Sequence, residues 1–121
     1  FQDSGYPTGG GIHGGLHKAE LNNWLVASGS MFQSKQTIDI PAGNVDILPT
    51  ILFLLGIDVP SHVQGRVLLE ALNETRDYAL PAVKDEEVTV NERSGRRTIL
   101  SKSHVNGTQY INSSWVEGGF C

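Results

Sequence analysis

The residues of this chain best suited to chemistry lie in a glycine-rich stretch near its start, Gly9 to Glu20, which reads GGGIHGGLHKAE. Two imidazoles, His13 and His17, and one carboxylate, Glu20, stand in it. Neutral imidazole is the commonest zinc ligand, and flanking glycines let a backbone approach a metal without steric conflict. On these residues alone, His13 is either a metal ligand or a polar residue of a flexible loop.

The other two groups of this stretch have weaker claims. The spacing from His13 to His17 is that of a helical zinc pair, but the intervening glycines disfavour a helix. We therefore leave three roles open for His17: contact with substrate, support of a metal ligand, or none. Glu20 either accepts a hydrogen bond from a ligating histidine or caps and solvates the turn.

Two apolar segments follow and are the elements that must position this stretch. Residues 21–28 predict a buried strand whose core is Trp24 to Ala27. Residues 44–55 predict a short helix, because aliphatic side chains recur at i, i+4 and i+8. Gly56 suits its C-terminal cap, and Asn44 or Asp46 can cap its start. Asp46 is more typical of a helix cap than of a metal ligand. The helix is apolar nearly all round, which predicts that it is buried.

The remaining segments predict a change of structure along the chain. Residues 33–43 form a polar connection that can include a short edge strand, and Arg66 to Leu72 predicts a second short helix. The last third alternates as strands do: Glu87–Asn91, Arg97–Val105 and Gln109–Val116. Asn106-Gly107 between the last two is a strong hairpin signal.

Composition sets limits on the class of protein. The chain has 121 residues, a formal charge of −4 and one cysteine, Cys121. This length makes one domain at most, and the acidic balance argues against binding to duplex nucleic acid. Cys121 is a free thiol or half of a disulfide to residues outside this chain. No apolar run reaches the roughly 20 residues of a membrane span. Because no initiator methionine or recognisable domain start precedes Phe1, we expect a piece of a longer polypeptide.

Three N-x-S/T sequons occur, at Asn73, Asn106 and Asn112. They exceed what the Asn, Ser and Thr content produces by chance, which favours a glycosylated protein of the secretory pathway. The competing explanation for Asn106 is that Asn-Gly is the preferred hairpin turn.

The apolar helix also carries a family resemblance. The pattern V-D-I-x-P-T-I-L-x-L-L-G-I-x-x-P over residues 45–60, followed by Gly65-Arg66, is similar to the C-terminal signature of the alkaline phosphatase superfamily. This superfamily includes phosphodiesterases of the nucleotide pyrophosphatase type, phosphopentomutases and sulfatases. The resemblance implies an α/β fold: the C-terminal portion of an alkaline-phosphatase-like α/β/α sandwich with an antiparallel β tail. Residues 1–72 would form the α/β part and residues 73–121 the hairpin tail.

The glycine-rich stretch resembles one subgroup of this superfamily. Type I phosphodiesterases of the nucleotide pyrophosphatase kind have an x-H-G triplet, then a strand ending in glycine and an aromatic residue. The corresponding residues here are Ile12-His13-Gly14, residues 25–29 and Phe32, while Ser30 departs from the usual proline. The resemblance implies that His13 is the last histidine ligand of a two-zinc site.

The implied function is that of the C-terminal part of a metal-dependent phosphoric-ester hydrolase. The nucleophilic Thr or Ser and the remaining ligands would come from the upstream part of the polypeptide, since no Asp-His-Gly step occurs here. The isolated chain would then be inactive on a phosphate-ester substrate. One alternative is a noncatalytic binding or structural module that retains the scaffold. Another is a sulfatase-like hydrolase, although typical sulfatases have lysine at the position of His13.

Overall fold

The computed structural model describes residues 14–118 of the chain. Within this range the regular elements are short before residue 80 and longer after it. They are helix α1 (Lys18–Leu21), helix α2 (Ile47–Leu54) and strands β1 (Val83–Asn91), β2 (Arg97–Val105) and β3 (Thr108–Glu117). Single 3-10 turns lie at Asn44–Asp46 and Leu69–Ala71.

The three strands form one antiparallel sheet in the order β1-β2-β3. Asn106 and Gly107 join β2 to β3 with φ angles of 47° and 85°. Two successive positive φ values are what a two-residue type I′ hairpin turn requires, and Asn-Gly adopts them at little cost. The hairpin predicted at Asn106-Gly107 is therefore confirmed. The strand predicted over residues 87–91 is also present, and it begins earlier, at Val83.

The α/β/α sandwich predicted from the resemblance is wrong for the described residues, which consist mainly of this small sheet with few helical turns. The prediction of a strand over residues 21–28 is wrong, since residues 22–28 have no regular secondary structure. Trp24 is 88% exposed and Val26 is 71% exposed, so neither is a core residue. A buried strand requires neighbours that bond its edges and cover its faces. The described residues supply no such neighbour to this stretch.

Two smaller sequence predictions also fail. The edge strand proposed within residues 33–43 is absent, and the nearest pairing is an isolated bridge between Phe32 and Leu72. The helix expected from Arg66 to Leu72 is reduced to the one turn Leu69–Ala71. Both segments are shaped by contacts with distant residues rather than by local propensity, which is a weak prior that tertiary context overrides.

The chain divides into two compact units. Among the described residues, the first contains residues 14–24, Asp85–Lys102 and residues 111–118, and the second contains Leu25–Lys84 and Ser103–Tyr110. In the first unit the buried apolar side chain among the described residues is Ile99. In the second unit the buried apolar residues are Leu68, Leu72, Val105 and Tyr110. So small an apolar core makes polar contacts important to the second unit.

Asp46 is the centre of those polar contacts. Its side chain is fully buried, and Oδ1 accepts a hydrogen bond from the Arg66 backbone N–H at 2.8 Å. Oδ2 accepts hydrogen bonds from the Gly43 N–H at 2.7 Å and from the Tyr110 hydroxyl at 2.9 Å. Burial of a carboxylate costs several kcal/mol unless donors replace the lost water. Asp46 stands at the N-cap position of α2, but its side chain makes no cap hydrogen bond to that helix, so the predicted capping role is wrong for the side chain. The carboxylate instead joins Gly43 to segments 20 and 64 residues away.

Arg66 forms a second layer around this carboxylate. Its Nη1 and Nη2 donate to the two oxygens of Glu70 at 2.9 and 2.6 Å, and both side chains are buried. Nη2 also donates to the Pro41 carbonyl at 2.9 Å, and Nε donates to the Tyr110 hydroxyl at 3.0 Å. Burial alone lowers the pKa of Arg66, but Glu70 and Tyr110 raise it, and the net pKa is raised. The guanidinium therefore stays charged where it is bound.

Helix α2 is packed on one face only. Pro49 and Thr50 are buried, and the Thr50 hydroxyl donates to the Asp46 carbonyl at 2.7 Å and accepts from the Leu68 N–H at 3.1 Å. The opposite face exposes four aliphatic side chains, Ile47, Leu48, Ile51 and Leu55. The predicted burial of this helix on all sides is therefore wrong for the described residues, although its position is confirmed. Gly56 ends it with φ 68°, as expected of a C-terminal cap.

We expect Gly65→Ala to destabilise the chain far more than Gly56→Ala. Both glycines have positive φ, at 93° and 68°, so alanine is strained at either position by about 1–2 kcal/mol. Only at Gly65 would a Cβ also collide, with the Val45 carbonyl and the Asp46 carboxylate. Gly65→Ala should therefore lower the free energy of unfolding by more than about 3 kcal/mol. Urea denaturation of the 121-residue variants measures the difference, and equal losses would contradict this packing.

We expect the stability of the chain to fall at alkaline pH through Tyr110. Burial and the hydrogen bond to Asp46 raise the pKa of Tyr110 from 10.0 to about 12. A raised pKa means that folding favours the neutral phenol. Its stabilisation is complete below pH 10 and is lost between pH 10 and about 12. The loss amounts to at most about 3 kcal/mol.

The test is the free energy of unfolding from pH 9 to pH 12 for the parent chain and two variants. Tyr110→Phe removes the titrating group, so it should be less stable at neutral pH and lose the steep alkaline decline. The control Tyr78→Phe changes a tyrosine that is 65% exposed and should keep that decline. An unchanged alkaline decline in Tyr110→Phe would show that another group causes it.

Candidate functional site

The metal ligand predicted from the sequence, His13, lies outside the residues that the structure describes, so its role stays a prediction. The next residue, Gly14, has a φ angle of 83°. Residues with a side chain rarely adopt this backbone conformation, whereas glycine does so at little cost. The glycine of the Ile12-His13-Gly14 triplet therefore has a backbone reason to be glycine.

His17 lies at the N-terminal end of α1 and caps it. Its Nδ1 accepts a hydrogen bond from the Ala19 N–H at 3.2 Å, and the residue is exposed. A nitrogen that accepts carries no hydrogen, so we assign the proton of neutral His17 to Nε2. In this arrangement Nε2 can donate a hydrogen bond to an anionic oxygen, whereas metal binding through Nδ1 would break the cap. The cap gives His17 a structural role, while contact with substrate and support of a metal ligand stay predictions.

Glu20 folds back over the turn that precedes it. Its Oε2 accepts a hydrogen bond from the Gly15 N–H at 2.8 Å. The carboxylate lies within 2.6 Å of the position that a Cβ on residue 15 would occupy, so only glycine fits there without a shift. Glu20 thus acts on the turn, which is one of the two roles expected from the sequence. Its support of a ligating histidine stays a prediction.

The stretch that carries His17 and Glu20 is attached to the sheet within the first unit. The Ser114 N–H of β3 donates to the Leu16 carbonyl at 2.7 Å. Because β3 is an edge strand of the sheet, this bond uses an amide that has no neighbouring strand on that side. The position of the stretch is therefore set by β3 as well as by its own turn.

No metal site is formed by the described part of the chain. Within residues 14–118, no three His, Cys, Asp or Glu side chains come close enough together to hold a metal ion. The buried carboxylates Asp46 and Glu70 are committed to Arg66, Tyr110 and the backbone. The two-zinc site implied by the resemblance stays a prediction that rests on His13 and on residues outside this chain.

The residues that surround Asp46 were not predicted from the sequence. Arg66 and Glu70 stand at the i, i+4 spacing at which opposite charges pair on a helix, and that spacing was a usable signal. Tyr110 offered no local signal, because it reaches Asp46 from 64 residues further along the chain. Their contacts are structural: each satisfies a buried polar group.

The predicted glycosylation sites fall in three different settings. Asn73 follows the second 3-10 turn, Asn106 is the first residue of the hairpin turn, and Asn112 lies in β3. Asn73 and Asn106 are exposed, and Asn112 is half-buried. The three asparagines therefore differ in exposure and in the structural element that contains them.

We expect Glu20→Ala to loosen the turn before α1. Removal of the carboxylate leaves the Gly15 N–H without its acceptor, so amide hydrogen exchange at Gly15 should speed up by about fivefold or more. Glu20→Gln keeps an acceptor oxygen at the same reach and should change the exchange rate less. NMR measurement of hydrogen exchange compares the variants. Unchanged exchange at Gly15 in Glu20→Ala would contradict the hydrogen bond.

Among residues 14–118, no helix is both long and apolar enough to cross a membrane. The chain has a single cysteine, so it forms no disulfide within itself. Comparisons of the chain with protein-family models, with curated proteins and with solved structures find no match.

Proposed function

We propose that this chain is the C-terminal part of a metal-dependent phosphoric-ester hydrolase, similar to type I phosphodiesterases, in which His13 is one zinc ligand. The observation that carries the proposal is the pattern of residues 45–60 with Gly65-Arg66. Four of its residues have a structural role. Asp46 is a buried hydrogen-bond acceptor and the Thr50 hydroxyl is a buried donor. A Cβ at Gly65 would collide with the backbone of Val45, and the Arg66 guanidinium is bound by Glu70. This supports the interpretation of the pattern as a scaffold signature rather than a chance match.

The exposed apolar surfaces of the chain support a longer polypeptide. Trp24 is 88% exposed in the first unit, and in the second unit Val26 is 71% exposed and α2 exposes its aliphatic face. Soluble proteins rarely leave a patch such as the face of α2 in water, since each buried aliphatic side chain is worth about 1.5–3 kcal/mol. Upstream protein that covers these surfaces is the partner we propose, and it would also supply the nucleophile.

Within such a site, this chain would contribute binding and positioning. Zinc ions would supply activation of the nucleophile and stabilisation of the leaving oxygen. The imidazole of His13 would hold one of them, next to Gly14, whose φ of 83° lets the backbone turn away at once. His17 is not one of the proposed ligands, because its Nδ1 already accepts the cap hydrogen bond from the Ala19 N–H.

The exposed face of α2 also suits the second candidate, a noncatalytic module that binds a partner through this helix. Four aliphatic side chains on one side of two helical turns are typical of a helix that packs against another protein surface. The two candidates differ in whether the complete protein hydrolyses a phosphodiester and whether His13 matters to it.

We expect His13→Ala in the longer polypeptide to lower zinc content and to reduce phosphodiester hydrolysis by at least about 100-fold. The matched control, His17→Ala, removes an imidazole from the same stretch and should retain zinc and most of the activity. The isolated 121-residue chain should show no hydrolysis, because it lacks the nucleophile and the other ligands. A chromogenic phosphodiester with added Zn²⁺ and elemental analysis give the two readouts.

Each alternative result has a separate meaning. Turnover by the isolated chain would contradict the dependence on upstream residues. Full zinc content in His13→Ala would remove His13 from the site. A longer polypeptide that binds no zinc and hydrolyses no phosphodiester would favour the noncatalytic module.

A further inference from the structure

The three sequons of the chain are not equivalent as sites of N-glycosylation, and their hydrogen bonds distinguish them. The reaction joins the Nδ2 atom of asparagine to C1 of an oligosaccharide supplied on a lipid diphosphate. The amide loses one of its two hydrogens as a proton, and the lipid diphosphate leaves. A glycosylated asparagine therefore has one N–H left on its side chain, and it needs open space for a bulky sugar.

Asn73 has both amide hydrogens in use. Its Nδ2 donates to the Ser30 carbonyl at 2.8 Å and to the Phe32 carbonyl at 2.9 Å. The Asn73 backbone N–H donates to the Met31 carbonyl at 2.9 Å, so the residue binds three successive carbonyls of one loop. A sugar on Nδ2 would remove one of these bonds and stand where the loop lies. The residue is exposed, but its amide is committed.

The third residue of the same sequon also has a structural role. Thr75 is 5% exposed, and its hydroxyl donates to the carbonyl of Leu69, the first residue of the second 3-10 turn. Both residues that define this sequon are thus explained by hydrogen bonds within the second unit. The match to N-x-T at Asn73 needs no glycan to account for it.

Asn112 is also poorly placed. It lies within β3, it is half-buried, and it already interacts with a neighbouring group. A glycan there would have to leave from the middle of a strand. Of the three sequons, this one has a side chain that is less accessible than those of Asn73 and Asn106.

Asn106 has the opposite properties. It is exposed at the tip of the β2–β3 hairpin, and its side chain makes no hydrogen bond that the described residues show. The type I′ turn explains Asn106 and Gly107, but any strand-forming residue would serve at Thr108, where β3 begins. We propose that Asn106 is the glycan acceptor of this chain and that Asn73 is a structural amide that stays unmodified in the folded protein. The proposal does not depend on the proposed hydrolase function.

The test is secretion of the full 121-residue chain from a eukaryotic host behind a cleavable leader. Glycopeptide mass spectrometry before and after enzymatic deglycosylation gives the occupancy at each asparagine. We expect a glycan at Asn106 and none at Asn73 in the secreted protein. Thr108→Ala should remove the glycan, while the matched control Ser114→Ala, which destroys the Asn112 sequon, should leave the protein's mass pattern unchanged apart from the substitution.

A second measurement tests the structural half without glycosylation. In bacterially produced protein, Asn73→Asp keeps the side-chain shape but removes both donated hydrogen bonds, so its Tm should fall by at least about 3 °C. Asn106→Asp tolerates the positive φ of the turn and should leave Tm nearly unchanged.

The outcomes that overturn the proposal are equally specific. An unmodified Asn106, or a glycan at Asn73 in folded secreted protein, would contradict the assignment. Equal Tm values for Asn73→Asp and the parent chain would show that the Asn73 amide is not structural. If the chain is retained in the cell, occupancy in the retained protein is read the same way: Asn106 without a glycan there overturns the proposal.

Discussion

The second unit depends on one buried carboxylate. Asp46 has no exposure to water, yet three donors from separate parts of the chain reach its two oxygens: the N–H groups of Gly43 and Arg66 and the hydroxyl of Tyr110. Each donor compensates part of the several kcal/mol that burial of a carboxylate costs. Removal of any one donor would leave the buried carboxylate with fewer hydrogen bonds than it needs. The Arg66 guanidinium is bound to Glu70, so the Asp46 carboxylate is compensated by neutral donors rather than by a cation. The start of α2 and the segment from Gly65 to Glu70 are positioned by this arrangement together with the few buried apolar residues.

The parts of the fold that the sequence predicts are those with a local cause. The β2–β3 hairpin follows from Asn106-Gly107, and α2 follows from its aliphatic spacing and from Gly56, since each signal acts within a few residues. The strand expected over residues 21–28 is different, because a run of Trp, Leu, Val and Ala forms a strand only when another strand bonds to it. The same limit hides the centre of the second unit. Asp46 reads as a helix cap until its partners, 20 and 64 residues away, are known.

The two failures of burial prediction have one physical cause. The exposed Trp24 stretch and the exposed face of α2 are both apolar segments that the sequence places in a core. Such segments are buried when enough apolar surface exists to cover them, and the buried apolar residues of the described range are few. The sequence indicated which segments are apolar, but it could not indicate which protein surface would cover them. This supports the proposal that other protein does so.

The sequons show how a sequence pattern can have a structural cause that a count does not reveal. Their excess over chance favoured a secretory protein, but the count treats three asparagines as equal. Asn73 and Thr75 are accounted for by bonds to backbone carbonyls, and Asn106-Gly107 is accounted for by the turn. Once those causes are removed, the case for secretion rests on the hydroxyl at Thr108, which the hairpin does not require, and on the half-buried sequon at Asn112. A prediction of localisation from sequons is therefore only as strong as the number of sequons whose residues the fold leaves unexplained.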